Sequence, residues 1–268
     1  MKFAVGKIVK KMWQHPLVCQ LDVDAAHAIE AHRRMIEAKP LLRRHYVRWY
    51  RECLPAYEAT KNMPGLVVEI GSGGGFLDQF IPELVKTDVV PTANCERVLD
   101  AMHMDFEDGE VKNLFLIGAF HHIPVPTKFL QEAQRCLRVG GRLVMIEPTN
   151  NPFQRFLAKH LDHYEHYDDK IPEWIDTTWT RMSGANLSLA WVIFFRDRDR
   201  FAREFPTLRL KRVRYHTFLS YILSGGMSYR SFLPGFAGPV VDLVEALSAP
   251  FMKHLATAMT LDLVKTEG

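Results

Sequence analysis

A chain of 268 residues with 47% apolar and 24% charged side chains is long enough for one α/β domain with elaborations. Its composition excludes a disordered or low-complexity protein. A net charge of +3 is too small to argue for a nucleic-acid partner, and none is expected.

Residues 1–62 read as helical. Val5, Ile8, Val9, Met12 and Trp13 share one face, with Lys7, Lys10 and Lys11 opposite. This basic amphipathic segment packs on the domain or, through residues 1–14, makes a peripheral contact with an anionic membrane. It holds no apolar stretch of secretory type. Further helical patterns run over Ala25–Ala38 and Leu41–Leu54, interrupted by Pro40. From Leu66 the texture changes to short apolar runs alternating with helical segments. LVVEI (66–70) reads as a buried strand, Phe76–Val85 as a helix and Val85–Val89 as a second strand. Val98-Leu99 and Asn113–Gly118 follow as strands three and four, Thr127–Leu137 as a helix closed by Gly140-Gly141, and Arg142–Ile146 as strand five. Such alternation implies a parallel sheet with right-handed crossovers.

Residues 149–205 read as helix and loop, rich in aromatics and histidines, and as a lid. Leu208–Thr217 reads as a strand, Val240–Leu255 as an amphipathic helix and Met259–Lys265 as a closing strand. The longest apolar run, Leu187 to Phe195, is far short of the roughly 20 residues that span a bilayer. Cys19, Cys53, Cys95 and Cys136 form no CxxC pair, so reduced thiols in a cytoplasmic protein are expected.

The chemistry-bearing feature is the turn Glu69-Ile70-Gly71-Ser72-Gly73-Gly74-Gly75 after the first strand. Glycines permit a sharp turn and close backbone approach to a ligand. The spacing Gly71-x-Gly73-x-Gly75 departs from the GxGxxG of dinucleotide sites, and Glu69 beside it suits a ligand carrying an amine. Asp88 falls at the end of the second strand, where a carboxylate accepts from ribose hydroxyls. Asp100-Ala101 ends the third. Parallel α/β sheets bind ligands at these strand ends.

With those residues in place, VVEIGSGGG (67–75), LDAMHMDF (99–106) and GAFHHIPVPTKFLQEAQRCLRVGGRLVMIEP (118–148) resemble the successive motifs of class I S-adenosylmethionine-dependent methyltransferases of small-molecule type. HPL (15–17), LLRRHYVRWY (41–50) and LSGGMSYRSFLPG (223–235) resemble flanks of a bacterial subgroup of methyltransferase-domain proteins. The resemblance implies a Rossmann-like α/β sheet, mostly parallel with an antiparallel last strand. It implies a helical cap over 1–62, a cofactor-binding domain formed by 63–148 and 206–268, and a lid over 149–205. It implies S-adenosylmethionine as cofactor, held by Glu69, Gly71, Ser72, Gly73 and Gly75 at its methionine part, by Asp88 at the ribose, by Asp100 and Ala101 at the adenine, with Gly118 beside them. The sequence departs from the family pattern at Asn113, where an aspartate usually opens strand four, at Val139, where a proline precedes the two glycines, and between Asp88 and Asp100, where the usual helix has no room.

His121 follows strand four and Glu147 ends strand five, so the two are expected to meet as base and orienting carboxylate for an acceptor that must lose a proton. His160, His163 and His166 drift off a common helical face, and no metal site is assigned to them. The expected function is methyl transfer to a small or amphipathic molecule. The alternatives are a non-catalytic binding or assembly protein on the same fold, and a methyltransferase of membrane-associated, lipid-like acceptors. The sequence leaves oligomeric state unread.

Overall fold

A computed structural model of the chain describes residues 13–18, 21–22, 24–25, 27–160, 165–175 and 184–268. The basic segment 1–12, His163 and Trp179 lie outside them. Two helices come first, α1 (Ala28–Ala38) and α2 (Pro40–Ala59), with Pro40 opening the second helix. A proline suits that first position, because the N–H it lacks would have no partner there.

Seven strands follow: β1 (Leu66–Ile70), β2 (Leu84–Asp88), β3 (Arg97–Val98), β4 (Val111–Ile117), β5 (Leu137–Pro148), β6 (Leu208–His216) and β7 (Ala258–Lys265). They form one sheet in the order β3-β2-β1-β4-β5-β7-β6. β1 to β5 run parallel, and β7 lies antiparallel between β5 and β6. This is the mostly parallel sheet with an antiparallel last strand expected from the sequence. Among the described residues the other α-helices of four residues or more are α3 (Pro126–Cys136), α4 (Pro152–His160), α5 (Arg198–Glu204), α6 (Ser220–Leu223), α7 (Gly238–Leu247) and α8 (Met252–Leu255).

Both faces of the central strands are covered, so β1 and β4 read as nearly unbroken apolar runs. On one face Val68, Ile70, Leu114, Leu116 and Met145 meet Phe129 and Leu130 of α3 together with Trp174, Ile193 and Phe194. On the other, Val67, Phe115, Val144 and Ile146 meet Leu42, Tyr50, Cys53 and Ala56 of α2. The helix expected over Phe76–Val85 is reduced to a single turn, Leu77–Gln79. Pro82 disfavours helix at Ile81, and α2 covers the sheet face that such a helix would have covered.

Two other expectations are corrected. Gly140-Gly141 lies inside the long β5 and does not close α3, at the irregularity in the β4–β5 register between Val111 and Asn113. The expected helix Val240–Leu255 is divided into α7, a turn Ala249–Phe251 and α8, with the break at Pro250. No helix among the described residues is long and apolar enough to cross a membrane.

Candidate functional site

The chain leaves β1 through Gly71 and Gly73, both at positive φ, and the turn is tied down from several sides. The Gly73 N–H donates to Asp88 Oδ2 at 3.1 Å and the Val90 N–H to Asp88 Oδ1 at 3.3 Å. Asn94 Nδ2 donates to the carbonyls of Gly73 and Gly75 at 2.9 and 3.0 Å. Arg33 of α1 donates to Asn94 Oδ1 at 2.5 Å. A side chain at Gly74 would strike the Arg33 backbone, and one at Gly75 would strike the Tyr50 hydroxyl and the Ser72 carbonyl. These two glycines therefore let α1 and α2 close on the turn. Tyr50 Oη accepts the Phe76 N–H at 2.9 Å, which fixes the far side.

A hollow of about 310 Å³ opens beside the turn, between His27, Glu30 and Arg33 on one wall and Pro91 to Asn94 on the other. Glu69 is buried, 2% exposed, and its Oε2 has no hydrogen-bond partner. Desolvation pushes its carboxyl up to about 8, reinforced by the charges of Asp78 and Asp88 and opposed by Ser72 and Lys86. Asp100 accepts the Met102 N–H at Oδ1, 2.8 Å, and is half exposed, while Ala101 packs on the core.

These residues fit S-adenosylmethionine. A buried carboxylate with an unpartnered oxygen suits the amine. Beyond Gly73 no atom outside the turn, and beyond Gly118 no atom at all, comes within 4 Å of where a side chain would begin, so a ligand can lie against the backbone there. Asp88 and Asp100 stand at successive strand ends with acceptor capacity left over.

Gly118, at φ 61°, turns β4 into one helical turn, Phe120–His122. Glu147, 1% exposed near the end of β5, organises it. Glu147 Oε1 accepts the N–H groups of Ala119 and Phe120 at 3.2 and 2.9 Å, and Oε2 lies 2.5 Å from His121 Nδ1. Glu165 approaches from beyond α4, its Oε1 at 3.7 Å from His121 Nε2 and 3.4 Å from His122 Nε2. Burial alone would lower the His121 pKa, but the charges and hydrogen bonds of Glu147 and Glu165 outweigh it and raise it to about 10. Among the described residues, His121, His122 and Glu165 are the one group placed to share a cation, and the pairing of imidazole with carboxylate accounts for the cluster without an ion.

The sequence-derived candidates thus fall into two groups at the same edge of the sheet, with Glu69 to Gly75, Asp88 and Asp100 on one side and Gly118, His121 and Glu147 on the other. Sequence reasoning missed Tyr50, Asn94 and Glu165. Glu165 stands inside the histidine-tyrosine run, where a lone carboxylate among imidazoles was the available signal. The run itself is dispersed. His160 Nδ1 bonds its own helix at the Phe156 carbonyl, 2.8 Å, while His166 bridges to Asn186. Trp174 and Phe194 are core. Ser224-Gly225-Gly226 is a structural loop, its Gly226 carbonyl accepting from Lys39 Nζ at 2.5 Å.

Residues 68–145, from β1 into β5, match the family model of a methyltransferase domain. None of the curated proteins matches the chain significantly. Among solved structures, geranyl diphosphate C-methyltransferase from Streptomyces coelicolor A3(2), in complex with Mg2+, geranyl diphosphate and S-adenosyl-L-homocysteine, is 13% identical. The match covers 91% of this chain and 86% of that one, with a TM-score of 0.46. The [4+2]-cyclase SpnF is 14% identical over 82% of each chain, with a TM-score of 0.45. Phosphoethanolamine N-methyltransferase 2 of Haemonchus contortus, in complex with S-adenosyl-L-methionine, is 12% identical over 81% of this chain and 53% of that one, at 0.41. Likenesses of this size carry no argument about what the chain acts on.

Proposed function

We propose that this chain, whose residues 68–145 match the model of a methyltransferase domain, transfers a methyl group from S-adenosylmethionine to a small or amphipathic acceptor at the ends of β4 and β5. The observation that carries the reading is the buried His121–Glu147 pair, 2.5 Å apart, beside the open backbone at Gly118. When bound, the cofactor would supply an electrophilic methyl carbon, to which the acceptor's lone pair would bond in line as the carbon–sulfur bond breaks and S-adenosylhomocysteine leaves. Glu69, Gly71, Ser72 and Gly73 would hold its methionine part, Asp88 and Asp100 its nucleoside, with Ala101 and Gly118 at the margins. Gly75 serves the site indirectly, by admitting Tyr50.

His121 handles the acceptor's proton. Glu147 claims Nδ1–H, leaving Nε2 of the neutral ring to accept, and both neighbouring carboxylates stabilise the imidazolium that forms. The same stabilisation holds the resting ring protonated at neutral pH. Turnover limited by this step therefore rises with pH until the ring titrates, near 10. Cys53, Cys95 and Cys136 are free thiols, which suits a reducing, cytoplasmic setting.

The test is transfer of labelled methyl from S-adenosylmethionine to fractionated metabolites and lipids, followed by the pH profile of kcat on the acceptor found. His121→Gln is expected to lower kcat by about 10²–10⁴-fold and to flatten the profile. Unchanged kcat in His121→Gln would remove the base, and failure to label any fraction would remove the small-acceptor reading.

A further inference from the structure

The amphipathicity of α7 is inverted. Phe236, Val240, Leu243, Leu247 and Phe251 recur at helical spacing through α7 and its flanking turns, and all five point to solvent, 86%, 64%, 58%, 69% and 61% exposed. The acids of the same segment turn inward. Asp242 pairs with Arg44 and Arg48 of α2. The Glu245 carboxylate accepts the N–H groups of Phe218, Leu219 and Ser220 at 2.8–3.1 Å. A surface helix ordinarily presents its charges to water and its apolar stripe to the core. Here the charges are used to fasten the helix down, and the apolar stripe is left outside.

The border of this face is cationic. Residues 232–257 contain no acid besides Asp242 and Glu245, whereas Lys253 and His254 are exposed at the end of the stripe. At the other end Trp13 stacks on exposed Phe232 at 5.3 Å, and the Trp13 carbonyl accepts the Arg230 N–H at 2.9 Å. Arg230 is itself exposed, so a cation stands at this end of the face as well.

We propose that the outer face of α7, with Trp13 and Phe232, docks on the surface of an anionic lipid bilayer. Aromatic and aliphatic side chains on one face and basic side chains at its rim are the combination that inserts shallowly among headgroups while pairing with acidic lipids. A second copy of the chain suits the face less well. A two-fold pairing sets the same patch on itself, bringing Lys253 and Arg230 to the rim with no free carboxylate of residues 232–257 to meet them. The proposal rests on this surface and stands whether or not the acceptor is itself a lipid.

The test is co-sedimentation of the full chain with vesicles of phosphatidylcholine alone and of phosphatidylcholine mixed with phosphatidylglycerol. Wild type is expected to bind the mixed vesicles, less so as salt is raised. Leu243→Ser/Leu247→Ser is expected to weaken binding by about tenfold or more, and Lys253→Glu to weaken it only on the anionic vesicles. Thermal unfolding of each variant separates lost docking from lost fold, since both leucines are solvent-facing and their substitution is expected to leave the melting temperature in place. Equal sedimentation of wild type and the double variant, or no binding to either vesicle, would overturn the proposal. So would a concentration-dependent dimer that the double variant abolishes, which would assign the face to a second copy.

Discussion

Glu69 occupies the position where a cationic ligand group is expected, yet its carboxyl is held up to about 8 by burial. At pH 7 it is largely protonated, and a ligand ammonium placed beside it would favour the carboxylate and send the proton into solvent. Binding of S-adenosylhomocysteine is therefore expected to release close to one proton at pH 7. Calorimetry in buffers of different ionisation enthalpy would read the release, and Glu69→Gln should abolish it. Asn113 is a second informative residue. It is fully buried, its Oδ1 accepting from Thr60 Oγ1 at 2.7 Å. An aspartate would place a charge there with one hydroxyl for company. Asn113→Asp is expected to destabilise by about 2 kcal/mol or more, measured by denaturant unfolding. The sequence showed that Asn113 departs from a pattern but not why, since its partner lies 53 positions earlier. Glu69, Asp88 and Glu147 were legible because an apolar run of strand length tells where a strand ends. Tyr50 and Glu165 were not, because only packing brings Tyr50 to the glycine turn and Glu165 to His121 and His122.

Among the elements, most strand boundaries held within a few residues, but β5 begins at Leu137 rather than Arg142 and takes Gly140-Gly141 into the strand. The expected helices at Pro82 and Pro250 are interrupted there. Local periodicity cannot see that a face of the sheet is already occupied, and α2 occupies the one that the helix after the glycine turn would have taken. The β5–β7 pairing contains a charge pair in the core. Arg142 Nε donates to Asp262 Oδ1 at 2.8 Å, and the two residues are 5% and 2% exposed. Removing one member strands the other without water. Asp262→Ala is expected to cost about 3–5 kcal/mol, whereas a paired replacement of both by apolar residues should cost much less. A double-mutant cycle in urea would separate the two outcomes.

For the molecule as a whole, acid is the expected weakness. His45 on α2 bonds Ser220 Oγ at 3.1 Å, and His216 on β6 bonds Thr260 Oγ1 at 2.8 Å. Burial first, then the charge of His216 on His45 and of Arg214 and Arg212 on His216, lowers both from 6.5 to about 3. Both rings are neutral in the folded chain, so the unfolded chain takes up more protons between those values. Their stabilisation is present above pH 6.5 and is lost as pH falls toward 3. The melting temperature should drop by several degrees or more from pH 7 to pH 5. His216→Gln should soften the drop. Glu69 acts with the opposite sign, its contribution being lost as pH rises from 4.5 to about 8. The parallel pairing of the sheet was legible in the alternation of elements, and its antiparallel last strand in the resemblance. The placement of α2 against β4 and β5 was not, because no local pattern names a helix's distant partner.

That placement has a consequence for the order of events at the ribosome. Leu42, Tyr50, Cys53 and Ala56 are made well before the rest of the core they complete, which includes Val144, Ile146 and, from β7, Ala258. Until those segments leave the exit tunnel, the apolar side of α2 has only part of its core, with Val67, Phe76 and Phe115, to rest on. Nascent chains halted before β5 should accordingly be held by chaperones and cut readily by protease within α2, and protection there should arrive once β5 and β7 are made.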